Sequence, residues 1–277
     1  MFWYHFWEYT AQFSRLFARK AMEKGSKSSR ISIPDNTEFK LESFVLPNCY
    51  CGDLKSVLIP KGLISDRIKC LAQEIFQATG DKVMLCYYSL QPLIILCILK
   101  GSFRFFTELV EELTHARVSC KHPLEVEFIR VKSYTNSKRS DTLQIIGLLN
   151  AKQLENKNVV VVEDIVDSGA TMSQLLKTLE EMGIRQKWTA ILLSKRCKRE
   201  FEVPGFVFYI TKMVSSFGCK TIERGALCFQ VQEDFVAFDV PDEFVVGFGI
   251  DYNQKFRDLG HICIMSEAGV ERHRVAE

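Results

Sequence analysis

Within thirteen residues, Val159-Val160-Val161-Val162-Glu163-Asp164-Ile165-Val166-Asp167-Ser168-Gly169-Ala170-Thr171 sets an apolar stretch, two adjacent acids, a third acid and two hydroxyls. The β-branched valines read as a buried strand. A helical pattern follows from Ser173, so Asp167–Thr171 is the turn between strand and helix. In a parallel sheet, ligands bind beyond the carboxyl ends of the strands. A turn that opens a helix presents backbone N–H groups and the positive end of the helix dipole. Gly169 lets the backbone close around an anion, and Ser168 and Thr171 add hydroxyl donors. These residues suit a phosphate. Glu163 and Asp164 do not, because carboxylates repel it; vicinal hydroxyls and Mg2+ suit them better. Phosphate, diol and metal side by side describe a phosphorylated sugar. The plainer alternative is that Asp167 or Ser168 only caps a helix. The chain has no Gly-x-x-x-x-Gly-Lys-Ser/Thr, and Gly247-Phe248-Gly249 lacks the third glycine of a dinucleotide fingerprint.

The elements that must position this turn alternate in type. Leu63, Ile64, Ile68, Leu71 and Ile75 recur at helical spacing within Leu63–Phe76. Leu93–Leu99 is a continuous apolar run that reads as a strand and leads to Lys100-Gly101-Ser102. Phe103–His115 is amphipathic, Glu125–Val131 alternates as a strand, and Tyr134–Thr142 is a polar loop. After the valine strand, Ser173–Met182 carries Leu175, Leu176, Leu179 and Met182 on one helical face, and Thr189–Leu193 is the next strand. Continuous apolar strands alternating with helices mean an α/β fold with a parallel core sheet flanked by helices. Ser26–Asn36, with Pro34, reads as a polar linker ahead of it.

Composition narrows the setting. The 277 residues carry 36 Lys+Arg against 34 Asp+Glu, a formal net charge of +2. That balance gives no whole-protein pull on nucleic acid or membrane, so neither is expected as a partner and any anion site is local. No apolar run approaches the ~18 residues of a membrane helix. Residues 1–30 open with Phe2-Trp3-Tyr4-His5-Phe6-Trp7 and turn basic, without the basic-then-apolar order of a secretory signal. They are expected to be an extension, disordered or targeting; Glu8 and Glu23 weaken a mitochondrial presequence, and a cytoplasmic location is expected. Of ten cysteines, only Cys49 and Cys51 form a close pair, pointing the same way if on a strand, and no second Cys/His pair stands at metal spacing. Cys86, Cys97 and Cys263 sit in apolar runs and read as free core thiols.

The valine–acid–turn segment resembles the phosphoribosyl-diphosphate motif of the type I phosphoribosyltransferases. Four further segments resemble the hypoxanthine-guanine phosphoribosyltransferases, in the same order. They are Ile98–Ser102, Phe128–Tyr134, Leu192–Arg196, and Phe244–Asn253 with Phe256–Leu259; the likeness runs from about Ile33 to Glu267. It implies the type I fold with a small hood subdomain over the base site, built from the region near Phe44 and the C-terminal segment. It implies transfer of phosphoribosyl from phosphoribosyl diphosphate to hypoxanthine or guanine, giving IMP or GMP, with Mg2+ as cofactor and a homodimer or homotetramer. Asp167 matches the general acid/base at purine N7. Ser168, Gly169, Ala170 and Thr171 match the 5′-phosphate loop. Glu163 and Asp164 match the acids at the ribose diol and a Mg2+, and Asp251 the acid near the base amine and a second Mg2+. Lys195 matches the donor to the exocyclic O6, Phe244 the aromatic stacked on the purine, and Val245 a backbone contact. Lys100, Gly101 and Arg257 match diphosphate groups, the Lys100-Gly101 loop commonly holding a cis peptide. Ser133 and Tyr134 match a lid, and Arg130 and Lys132 residues that support the site from the subunit interface.

The chain departs from that pattern in three places. Ala170 stands where vertebrate-like members carry lysine, a position that mainly offers its N–H, so activity is expected to survive. Val83–Gln91 adds roughly nine residues and the stretch between Arg196 and Asp234 roughly 28, against the 2–6 usual in such loops. The phosphoribosyltransferase domain is therefore expected over 31–277 with insertions near 83–91 and 201–230. The second is either an extra hairpin or a retained intron. Rival readings are a nucleotide-binding homologue without turnover, usually marked by loss of the acid at Asp167; an aberrant product disturbed by the insertions; and an enzyme that also takes xanthine, set by contacts near Val245 and Asp251.

Overall fold

The strands are β1 (Ile31–Ser32), β2 (Leu54–Ile59), β3 (Leu93–Leu99), β4 (Leu124–Ser133), β5 (Leu143–Ile146), β6 (Asn158–Val166), β7 (Gln186–Lys195), β8 (Phe235–Val240), β9 (Val245–Val246) and β10 (Ile262–Met265). The helices are α1 (Lys61–Thr79), α2 (Phe103–Ala116), α3 (Ala170–Glu181) and α4 (Glu267–Arg272). The computed structural model describes residues 30–79, 92–118, 120, 123–133, 143–147, 154–196 and 233–275. A seven-stranded sheet runs in the order β1-β8-β7-β6-β3-β4-β5, parallel throughout except where β5 pairs with β4. A three-stranded antiparallel sheet, β2-β10-β9, joins an N-terminal strand to two C-terminal ones, as expected of the hood.

The valine run explains itself in this arrangement. Val160 and Val162 face α1 and α2 with Ile95 and Cys97, while Val159 and Val161 face α3 with Leu175 and Leu179. A central strand covered on both faces needs no polar alternation. Each fully buried valine contributes about 1.5–3 kcal/mol. The strand continues to Val166, so Glu163 and Asp164 are strand residues in register with β7.

Two expectations change. The polar linker does not extend to Asn36: Ile31 and Ser32 form β1, parallel to β8, and Ile33 is buried. The alternating Ile31 and Ile33 suit a sheet edge, and Arg196 fixes them by donating to the Ile33 carbonyl at 2.7 Å and pairing with Asp35. Cys49 and Cys51 lie on a 3-10 turn, not a strand, and are exposed free thiols. Cys97 and Cys263 are buried free thiols as expected, and burial pushes both up to about 12. Cys86, residues 1–29, the insertion over 83–91 and that over 201–230 lie outside the described residues.

The hood is tied to the C-terminus by charge. Asp53, nearly inaccessible, pairs with Arg272 at 2.6 Å and His273 at 2.8 Å. Gly269 of α4 is needed there, because a Cβ would stand 2.3 Å from the Asp53 carbonyl oxygen. Among the described residues, no helix is long and apolar enough to cross a membrane.

Candidate active site

The carboxyl ends of β3, β6 and β7 converge on one rim with the segment after β9. Asp164 is held there from below: its N–H donates to Ser102 Oγ at 2.9 Å, and Ser102 is fully buried. Burial pushes the Asp164 carboxyl up to about 6, against hydrogen bonds from the Ile165 and Asp164 N–H groups and the nearby Arg257, which hold it down, while Asp251 adds a smaller upward push. Burial, then the neighbouring Asp164, hold the Glu163 carboxyl well above the usual range. Glu163 Oε2 is buried without a hydrogen-bond partner.

Two glycines bring the loops on this flank into contact. The Leu99–Lys100 peptide is cis, and a Cβ on Gly101 would stand 1.7 Å from Asp164 Oδ2. Gly249, at φ +103°, lies against the same loop, where a Cβ would stand 2.2 Å from the Gly101 carbonyl oxygen. Only glycine fits at 249, where the neighbour is backbone, whereas a Cβ at 101 would have to displace the Asp164 carboxylate. Arg257 Nη2 pairs with Asp251 Oδ1 at 2.6 Å, and its Nη1 donates to the Gly249 carbonyl at 2.7 Å. Asp251 Oδ2 accepts from the Gln254 N–H at 2.7 Å, and Lys100 Nζ donates to Gln254 Oε1 at 3.1 Å. Arg104, the second residue of α2, donates to the Asp258 and Leu259 carbonyls at 3.1 and 2.8 Å and lies 3.4 Å from that of Arg257. Tyr50 Oη donates to Asp258 Oδ1 at 2.6 Å and accepts from the Phe256 N–H at 3.2 Å; burial and the Asp258 bond push its phenol up to about 12.

The turn after β6 has the form of an anion cradle. Gly169, at φ +86°, is the N-cap of α3 and offers no side chain to it. Ser168 Oγ accepts from the Ala170 N–H at 3.5 Å, a long bond at the edge of the usual range. Asp167, Ser168 and Thr171 are exposed at the rim, with Ala170 at the first helical position. A helix N-terminus of this kind offers N–H groups and positive potential.

On the remaining flank, Lys195 ends β7. Its Nζ lies 3.7 Å from Asp167 Oδ2 and 3.4 Å from Asp242 Oδ1, and its side chain is only 12% exposed. It is not a solvated strand-end lysine. Phe244 is 44% exposed and meets Tyr252 edge-on at 5.0 Å, so it is not a core residue. Val245 is buried in β9, paired with Ile264. Ser133 ends β4 and Arg130 is exposed on it. Tyr134, the polar run to Thr142 and the Lys132 side chain lie outside the described residues.

The donor set fits Mg2+. That ion keeps several waters and takes one or two carboxylates plus phosphate oxygens. Glu163 and Asp164 supply an unpartnered carboxylate oxygen beside a second buried acid. Among the described residues no three His, Cys, Asp or Glu side chains form a cage, so protein ligands alone would not complete a site.

Ser102, Arg104, Gly249, Gln254 and Asp242 belong to this constellation; Ser102 and Gly249 fall inside the family-like segments without a role of their own, and the sequence assigns nothing to Arg104, Gln254 or Asp242. Ser102 and Arg104 could have been found from their place directly behind Lys100-Gly101. Asp242 follows a proline in a short connection and carries no such signal.

Residues 62–221 match the phosphoribosyl transferase domain family. The chain is 36% identical to phosphoribosyltransferase domain-containing protein 1 of Xenopus tropicalis, over 90% of this chain and 96% of that one. It is 34% identical to the hypoxanthine-guanine phosphoribosyltransferase of Homo sapiens, over 87% of this chain and 94% of that one. Among solved structures, it resembles the hypoxanthine-guanine phosphoribosyltransferase of Schistosoma mansoni in complex with IMP, at 28% identity and a TM-score of 0.63, covering 89% of this chain and all of that one. A fold with this strand order, a glycine-capped turn behind an acidic strand end, and these relatives agree: the chain belongs to the type I phosphoribosyltransferase family.

Proposed function

We propose that the protein transfers phosphoribosyl from phosphoribosyl diphosphate to hypoxanthine or guanine, releasing diphosphate and giving IMP or GMP for purine salvage. The observation that carries this reading is the meeting of Asp167 with Lys195, 3.7 Å apart at the ends of adjacent strands above the glycine-capped turn. A carboxylate and an ammonium at that spacing suit an oxopurine, whose ring N7 exchanges a proton and whose O6 accepts a hydrogen bond.

In this reading the 5′-phosphate sits on Ser168–Thr171 and the ribose diol faces Glu163 and Asp164. Lys100, Gly101 and Arg257 hold the diphosphate, with Ser133 and Tyr134 closing over it. Phe244 stacks on the purine, worth about 1–3 kcal/mol for a base on an aromatic face, and Val245 contributes its backbone. The purine nitrogen bonds to the anomeric carbon as the diphosphate oxygen departs, and Asp167 takes the proton from N7. Glu163 and Asp164, with Asp251 nearby, would hold Mg2+, which would neutralise charge on the departing diphosphate. Lys195 selects oxopurines, because an adenine would leave its ammonium without the acceptor. The domain spans 31–277, and the enzyme works in the cytoplasm as a homodimer or homotetramer.

A second reading is nucleotide binding without turnover. It draws support from the Xenopus relative, whose name states a domain and no activity. The retained Asp167 favours turnover. Lys195→Ala separates base choice from general damage. Use of hypoxanthine and guanine should fall about 100-fold, while the affinity for phosphoribosyl diphosphate stays within about threefold. Equal loss of both would remove Lys195 from base selection.

A further inference from the structure

Lys195 is shared between two carboxylates, and only one of them has a part in the chemistry above. Asp242 is the nearer, at 3.4 Å against 3.7 Å for Asp167. Its place is set by the sheet. Lys195 is in register with Val240 across the β7–β8 pair, and the Arg196 N–H donates to the Val240 carbonyl at 2.9 Å. Pro241, with its fixed φ, then starts a turn closed by the Glu243 N–H on the Pro241 carbonyl at 2.9 Å. The turn delivers Asp242 to the end of β7 and Phe244 two residues later, so one short segment carries both a carboxylate for Lys195 and the exposed ring.

The two carboxylates differ in what they lose by pairing. Each is 62% exposed, whereas Lys195 is 12% exposed, so the lysine is the constrained member and the acids can turn to solvent or ligand. An ammonium fully paired with Asp167 would compete with a purine for both groups at once. It would hold the lysine away from O6 and the carboxylate away from N7. An ammonium has three donors on one compact charge and can address two anions without committing to either.

We infer that Asp242 is a purine-positioning residue, whose carboxylate draws the Lys195 ammonium out of full pairing with Asp167 and leaves both groups available to a 6-oxopurine. The inference rests on the reading of Lys195 and Asp167 given under Proposed function. Asp242 touches neither purine nor sugar and acts through Lys195.

The test is a cycle of Asp242→Asn and Asp167→Asn, read by IMP affinity in calorimetry and by the Michaelis constants of the wild type and of Asp242→Asn. Asp242→Asn should weaken IMP about fivefold, in the range of exposed ion pairs. It should raise the Michaelis constants for hypoxanthine and guanine by a similar factor and leave that for phosphoribosyl diphosphate within about twofold. Asp242→Glu should recover most of the loss. In the Asp167→Asn background, where the competing carboxylate is gone, adding Asp242→Asn should change IMP affinity less than about twofold. A fivefold loss that persists in that background, or purine constants unchanged by Asp242→Asn, overturns the inference and leaves the proposed function standing. A wild-type protein that neither binds IMP nor turns over an oxopurine overturns both. A wild type that binds IMP without turnover overturns only the proposed function, and the affinity cycle still decides the role of Asp242.

Discussion

On the flank formed by Lys100–Ser102 and the segment 247–259, backbone lies against backbone. A Cβ on Gly249 would meet the Gly101 carbonyl at 2.2 Å, and one on Gly101 would meet Asp164 at 1.7 Å. On the flank formed by the ends of β6 and β7 and the turn after β8, side chains meet at 3.4–3.7 Å, with both acids mostly in solvent. The first flank is already committed to one geometry. The second holds its groups in exchangeable ion pairs that a ligand can replace. A transfer reaction needs both, because the leaving group must be held in line while the acceptor base enters and the nucleotide leaves. Changes on the first flank should therefore act on phosphoribosyl diphosphate, and changes on the second on the purine.

The largest expected effect tests the second flank. Asp167→Asn keeps the side chain's size and removes its basicity, so turnover should fall about 10³-fold, within the usual range for a lost acid/base group. Calorimetric affinity for phosphoribosyl diphosphate should stay within about threefold; unchanged turnover would take Asp167 out of the mechanism. Next, on the first flank, Gly101→Ala forces the Asp164 carboxylate aside without touching the core. Turnover should fall about 10²-fold through misplacement of the sugar and leaving group, with circular dichroism unaltered. A variant as active as the wild type would show that the close approach to Asp164 carries no function.

Arg104→Met removes the donor to the Asp258 and Leu259 carbonyls beyond Arg257. The Michaelis constant for phosphoribosyl diphosphate should rise about tenfold, with Arg104→Lys recovering part of it, because each lost charged hydrogen bond costs about 1.5–3 kcal/mol. A rise confined to the purine constant would contradict the division of labour between the flanks. The smallest effect is on stability. Burial raises the Asp164 carboxyl in the folded protein to about 6, above the ordinary carboxylate range, so near that pH the folded protein binds protons the unfolded chain does not. Stability of the ligand-free protein should thus fall as pH rises through about 6, and the penalty should vanish below the unfolded value. Asp164→Asn should therefore stabilise the ligand-free protein by about 3 kcal/mol at pH 8 and by little at pH 4 in denaturant unfolding. Equal effects at both pH values would assign the change to packing.

How far the sequence speaks for itself differs between the same two flanks. Val159–Val162 declares a buried strand because both of its faces are covered, and the turn that follows is readable because Gly169 and the helical pattern after it are local signals. The end of β6 is less legible. Glu163 and Asp164 look like loop residues, yet backbone pairing with β7 keeps them in the strand, and their burial depends on elements far away in sequence. Arg104 and Asp242 lie beyond reach for the same reason. Each acts on a partner at least 47 positions away, through register that no single segment encodes. The edge strand at Ile31–Ser32 is two residues long and leaves almost no periodic trace.

The central claim is phosphoribosyl transfer to a 6-oxopurine, and the direct measurement is nucleotide formation by the purified chain with phosphoribosyl diphosphate and Mg2+, run in parallel on hypoxanthine, guanine, xanthine and adenine. The account predicts IMP and GMP from the first two and no AMP, with xanthine reading out the contacts near Val245 and Asp251. Turnover of adenine in preference to the oxopurines, or none at all from a folded protein that binds IMP, would contradict it.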